Sequence, residues 1–238
     1  MEGEPPEAVP DGSIFDRLGV LMGADAVDAF ARLRVAVFGV GGWCAESLVR
    51  SGVGHLMIVD SDRVCASNVN RQVMATSRTV GQMKVEALRA RLLDINPDAE
   101  ISAVARVYSA ETAASFDLGG FDFVVDAIDS MRAKAHLINA VTRLERPTLV
   151  SSLGAARKTD PFRIRKSEFW KVQGDGLARA LRRRFRQLGE FPAKKFTCVW
   201  SDELPAPLGA AGALGSVVHV SAMFGFALAG LVLREVRT

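Results

Sequence analysis

From Leu33 onward the chain repeats one unit: a short apolar run, a turn, then a stretch with helical spacing. Such alternation is the mark of strands joined by helical crossovers, and it commits the chain to a mostly parallel sheet covered on both faces. Continuous apolar runs suited to buried strands fall at Arg34–Phe38, His55–Val59, 101–104, 121–126 and Thr148–Ser152. Helices are predicted between them over 43–51, 82–94, 110–116 and 132–144. Asn96-Pro97 and Arg146-Pro147 mark where two of these stop, because proline cannot continue a helix. After Leu153 the pattern changes to an antiparallel strand at 162–166, a basic helix at 177–188 and a strand near 196–200.

A chain of 238 residues with 49% hydrophobic and 24% charged residues has average globular usage, which excludes disordered, collagen-like and coiled-coil readings. Residues 1–13 read as a disordered tail. Residues 14–238 read as one domain, with a nucleotide-binding half at 14–153 and a second half at 154–238. The first residues show no positive or apolar region of a secretory signal, and Cys44, Cys65 and Cys198 are too scattered for a disulfide framework or zinc pairs. A reducing, cytoplasmic setting is expected. Positions 209–233 carry no charge and meet the length rule for a membrane span. Interruption by Gly212, Gly215, Gly225 and Gly230 favours a short strand leading into a buried helix at 221–236, with membrane association left open and no stable insertion expected.

The first strand runs into Gly39-Val40-Gly41-Gly42, and Asp60 closes the second strand about twenty residues later. Glycines there let backbone N–H groups and a helix N-terminus approach phosphate, and a carboxylate at that strand end can take ribose hydroxyls. The fold expected is therefore Rossmann-like: a doubly wound, mostly parallel α/β sheet with antiparallel C-terminal strands and a C-terminal apolar helix. The third glycine of GxGxxG is missing, which argues against a nicotinamide dehydrogenase. Asp60-Ser61-Asp62 is followed by Asn68-Val69-Asn70-Arg71-Gln72, Val80-Gly81-Gln82-Met83-Lys84 and Asp126-Ala127-Ile128-Asp129-Ser130. Two cations, Arg71 and Lys84, suit a triphosphate, and Asp129 suits magnesium held between phosphates.

The pattern DxD, NxNRQ, VGxxK and DAIDS resembles the ThiF/MoeB superfamily of ubiquitin-activating-type adenylating enzymes. RLxxLMG, DAIDSMRAKAHLI, KTDPFRIR and the closing MFGF resemble its tRNA threonylcarbamoyladenosine dehydratase branch. The resemblance spans 15–236 and implies MgATP and activation of a carboxylate as its acyl adenylate. It implies Gly39, Gly41 and Gly42 as the phosphate loop, Asp60 on the ribose, Asn68, Arg71 and Lys84 on the phosphates, and Asp129 on Mg2+. It further implies a homodimer in which Arg17 reaches the neighbouring ATP, and a tRNA substrate dehydrated by cyclisation. The family loop reads GxGGVGSxxAExL, whereas this chain reads GVGGWCAESL, three residues shorter. Either the helix starts sooner and compensates, or phosphate donors are lost.

Net charge is only +3, yet 157–195 holds 13 basic and 4 acidic residues, +9 locally, on a body at −6. Arg179, Arg182, Arg183, Arg184 and Arg186 on the basic helix, followed by Lys194 and Lys195, suit phosphodiester contacts. Trp170 and Phe185 are candidates for base stacking, with core the preferred reading for Phe185. Cys198 matches a position where the branch often has cysteine, but a small buried hydrophobe is preferred, and Cys44 and Cys65 read as core. A sulfur-relay protein partner stays open. Two rival functions remain: adenylation of a small sulfur-carrier protein, and a non-catalytic scaffold with a damaged phosphate loop.

Overall fold

The computed structural model describes residues 12–39, 41–207 and 214–236, so the expected tail falls almost wholly outside the described residues. One seven-stranded sheet organises the chain, in spatial order β3-β2-β1-β4-β5-β7-β6. Its strands are β1 (Arg34–Phe38), β2 (His55–Val59), β3 (Glu100–Val104), β4 (Phe123–Asp126), β5 (Thr148–Ser152), β6 (Ile164–Glu168) and β7 (Thr197–Ser201). All neighbours pair parallel except β6, which runs antiparallel to β7. The order reverses between β1 and β4, and such a switch point opens a crevice at the C-terminal strand ends. Along those ends one register row carries Val59, Phe38, Asp126, Ser151 and Cys198 side by side.

The helices are α1 (Asp16–Met22), α2 (Ala24–Arg32), α3 (Gly42–Arg50), α4 (Lys84–Ile95), α5 (Met131–Thr142), α6 (Gly176–Leu188) and α7 (Val218–Glu235). Alternation along β1 divides the core: Val35 and Val37 pack with α3, α4 and α7, while Ala36 and Phe38 pack with α5 and α6. Helix α7 is long and apolar enough to cross a membrane. Here it lies on α3, with Val220, Phe224, Leu228 and Val232 buried. At Gly225 an added Cβ would sit 2.6 Å from the Trp43 Cβ, so the two helices approach as closely as backbone allows.

Several elements differ from expectation. Residues 110–116 hold only a 3₁₀ turn, Ala113–Ser115. The Thr112 hydroxyl accepts the Ser109 N–H at 2.9 Å and donates to the Val107 carbonyl at 2.8 Å, a local arrangement that competes with helix. Helices α1 and α2 were not foreseen. Helix α7 starts at Val218 rather than Ser221; no strand precedes it in 214–217, and the rest of that expected strand lies outside the described residues. Cys65, read as core, is exposed in the loop after β2.

Candidate active site

A cavity of about 1090 Å3 opens over the strand ends at the switch point. Its floor is the turn after β1. Gly39 has φ 79°, and a Cβ there would lie 2.4 Å from the Ala127 carbonyl oxygen, so no side chain fits. Gly41 caps α3 in the left-handed region at φ 36°. The helix then begins at Gly42, one residue sooner than expected, with Ala45 N–H bonded back to the Gly41 carbonyl. The preceding N–H groups of α3 have no intrahelical acceptor and sit at the cavity wall with Gly41, Gly42 and Trp43, where an anion is favoured. The shortened loop thus keeps a helix N-terminus on the cleft.

Four predicted side chains, Asp60, Arg71, Lys84 and Asp129, converge on this cavity. Burial raises the Asp60 carboxyl above its ordinary range, outweighing the Asp62 N–H and the Lys84 charge; the Asp62 and Asp129 carboxylates add to the rise. Lys84 opens α4, is buried, and places Nζ 2.7 Å from Asp62 Oδ2. The Arg71 guanidinium donates to the Ser67 carbonyl at 2.6 Å and Asn70 Oδ1 at 3.0 Å. Its loop is braced from two sides: Trp43 Nε1 donates to the Arg71 carbonyl at 2.8 Å, and Asn70 Nδ2 to the Ser216 carbonyl at 2.9 Å. Asp129 is exposed at the head of α5. Beneath it Asp126 takes Lys134 Nζ and Ser151 Oγ, each at 2.6 Å, and caps the Ile128 N–H at 3.1 Å.

Other predicted residues lie elsewhere. Asn68 is buried outside the cavity lining, its Oδ1 accepting the Cys65 N–H at 3.0 Å, so it shapes the loop that carries Arg71. Arg17 is exposed on α1, away from the cleft. On α6, Arg179, Arg183 and Arg186 are exposed, whereas Arg184 turns into the cavity wall. Arg182 breaks the expected stripe: its Nη2 donates to the Phe169 and Val172 carbonyls at 2.5 and 2.8 Å, and the guanidinium lies over the Phe169 ring. Phe185 is core and Trp170 half-exposed against Phe169 and Phe191. Cys198 is buried, and burial pushes its thiol pKa well up.

Trp43, Tyr108, His136 and Asn139 line the cavity without having been singled out. Tyr108 Oη and His136 Nδ1 lie 3.1 Å apart, joining the loop after β3 to α5. Only Trp43, beside the glycine turn, carried a sequence signal. No cluster of three metal-ligating side chains exists among the described residues. The donor set instead fits a magnesium shared with phosphates, for which one or two carboxylates suffice: among the described residues Asp129 has no hydrogen bond or ion pair to another side chain, and it shares the cavity with Asp60.

Strand order, glycine turn and cleft make this a nucleotide-binding, doubly wound α/β protein. The ThiF family matches residues 16–224, and the chain belongs to that family. It is 40% identical over 194 residues to the tRNA threonylcarbamoyladenosine dehydratase of Bacillus subtilis (strain 168), covering 80% of this chain and 75% of that protein. The corresponding protein of Escherichia coli (strain K12) is 32% identical over 244 residues, with 90% of each chain covered. The crystal structure of the E. coli enzyme, TcdA, in complex with ATP superposes with a TM-score of 0.84 at 33% identity, covering 93% of both chains.

Proposed function

We propose that this chain is an ATP-dependent tRNA threonylcarbamoyladenosine dehydratase. The reading rests on one observation: a chain similar along nearly its whole length to TcdA folds Gly39, Gly41, Asp60, Arg71, Lys84 and Asp129 around one cleft. The threonyl carboxylate attacks the α-phosphorus of ATP, and the bond to the β-phosphate oxygen breaks to release pyrophosphate. The ureido nitrogen then attacks the activated carbonyl, loses its proton, and expels AMP as the ring closes. Water's atoms leave divided, one carboxylate oxygen in AMP and the protons to solvent. Intramolecular attack supplies the effective concentration, so no enzyme thiol is required.

The protein's part is to hold, orient and shield. The N-terminus of α3 faces phosphate, Asp60 takes the ribose hydroxyls, and Arg71 and Lys84 offset triphosphate charge. Asp129 would hold Mg2+, which supplies charge neutralisation on the phosphates. Walls from α6 and α7 line the cleft and limit water at the activated carboxylate. The exposed arginines of α6 support tRNA binding, and exposed Arg17 supports a homodimer in which it reaches the partner's cleft. A cytoplasmic setting follows from such a substrate.

Incubation of threonylcarbamoyl-modified tRNA with the protein and MgATP, followed by nucleoside mass spectrometry, tests the reading. Loss of one water from that nucleoside is expected, and its absence in Asp129→Ala and Lys84→Ala. An unchanged nucleoside with ATP–pyrophosphate exchange stimulated by a carrier peptide ending in Gly-Gly would replace it with the carrier reading. Failure to bind ATP at all would leave the scaffold.

A further inference from the structure

Tyr108 and His136 line the cavity, and no step above uses them. Tyr108 comes from the loop after β3 and is buried. Its Oη lies 3.1 Å from His136 Nδ1 on α5, the one hydrogen-bond partner of that phenol among the described residues. Burial pushes the phenol pKa well up, and the Asp126 charge adds to the rise, so Tyr108 keeps its hydrogen. A buried O–H with a single acceptor in reach donates to it, because leaving the bond unmade is costly. Nδ1 therefore accepts, and the ring hydrogen of His136 sits on Nε2. That nitrogen has no hydrogen-bond partner among the described residues.

On α5 the cavity wall repeats every three residues, through Ser130, Ala133 and His136. His136 stands six residues after Ser130, about 9 Å along the axis, and helical side chains lean back toward the N-terminus. The imidazole thus leans toward the phosphate end of the cleft, where Asp129 precedes α5. We infer that His136 Nε2–H donates to the acyl oxygen of the substrate's activated carboxyl as the ring closes, and that Tyr108 positions the imidazole for it. The inference rests on the dehydratase reading above and adds a catalytic residue to it. As the ureido nitrogen forms its bond to the acyl carbon, the carbonyl electron pair moves onto that oxygen. The pair returns as the bond to AMP breaks, and the nitrogen's proton goes to solvent. His136 keeps its hydrogen throughout and stabilises the charge where it develops. Arg71 and Lys84 serve the triphosphate in that reading, Asp129 would repel an oxyanion, and Arg132, one turn before His136, is paired with Glu111.

Single-turnover reactions of threonylcarbamoyl-modified tRNA with MgATP separate the two steps: pyrophosphate release reads adenylation, and loss of water from the nucleoside reads ring closure. His136→Ala should slow ring closure about a hundredfold, the size of one lost donor to an oxyanion, with pyrophosphate release at the wild-type rate. His136→Gln offers an amide N–H in place of Nε2–H and should restore most of that rate, which it would not do for a group that takes up a proton. Tyr108→Phe should slow closure roughly fivefold through the lost hydrogen bond and cost nothing further in the His136→Ala protein, whereas packing damage would add in both. Closure at the wild-type rate in His136→Ala overturns the role. Pyrophosphate release that falls along with closure also overturns it and puts His136 on ATP, and a His136→Gln protein as slow as His136→Ala makes the imidazole a base instead of a donor. Wild-type protein that binds ATP but removes no water overturns the functional reading, and the role with it. If His136→Ala fails to fold, Tyr108→Phe, which removes a single hydroxyl, decides: unslowed closure overturns the pair.

Discussion

Lys134 Nζ lies 2.6 Å from Asp126 Oδ2 with both side chains wholly shut off from solvent. The same carboxylate receives Ser151 Oγ and holds the Ile128 N–H, so one buried charge pair fixes the turn that presents Asp129. Removing one partner strands the other's charge. Lys134→Met should therefore lower unfolding free energy by about 3–5 kcal/mol, whereas Asp126→Asn combined with Lys134→Met should recover much of that loss. Urea denaturation of the three proteins measures both quantities, and a loss under about 1 kcal/mol in the single variant would show that the pair is dispensable.

The sheet was legible in the sequence because its strands are covered on both faces: β1, β2 and β5 begin and end where their apolar runs do. The convergence of Asp60, Lys84 and Asp129 followed from their places just after a strand end and at helix starts, whereas Arg71 reaches the cleft from the loop between β2 and α4. Legibility fails where a residue's role depends on its environment. Helix α1 buries nothing and leaves Val20 and Leu21 exposed, so no apolar stripe announced it. Lys134 and Arg182 look like solvated charges in a helix, yet one is sealed in an ion pair and the other turned onto carbonyls. Asn68 sits inside a nucleotide motif but serves its own loop.

Acid should release ATP earlier than an ordinary carboxylate would allow. Burial first, and the Asp62 and Asp129 charges after it, raise the Asp60 carboxyl in the free protein. In the proposed function ribose hydroxyls donate to the ionised form, so bound nucleotide lowers that pKa and affinity is complete above the free-state value. As pH falls through the raised value, Asp60 is protonated and affinity drops, starting above the usual range near about 4. Titration calorimetry of ATP across pH should show this fall, and Asp60→Asn should bind weakly without it. A wild-type profile flat down to that range would refute the assignment.

The thiols should separate by burial. Cys44 and Cys198 are buried, which pushes both thiols up, and Cys65 is exposed. In the native protein one thiol of three should react quickly with an aromatic disulfide reagent, and Cys65→Ser should abolish that phase. Cys198→Ala should retain dehydratase turnover, because the proposed ring closure uses no enzyme sulfur. Loss of turnover in a folded Cys198→Ala protein would reopen a thiol mechanism.

Trp43 stands where the glycine loop is short, and it carries Arg71 from below. Its indole N–H donates to the Arg71 carbonyl, its ring meets Phe226 edge-on with centroids 5.8 Å apart, and Gly225 closes against its Cβ. Trp43→Phe keeps an aromatic ring in this setting and deletes the donor. The lost hydrogen bond is worth about 1 kcal/mol, roughly fivefold in affinity if it is all expressed in the position of Arg71. In the proposed function Arg71 offsets the charge of the triphosphate, so ATP binding should weaken by that factor while AMP, with a single phosphate, binds as before. Equal weakening of both nucleotides would place the indole's effect on the adenosine end of the cleft instead, and unchanged ATP binding would show that Asn70 and Ser216 hold the loop alone.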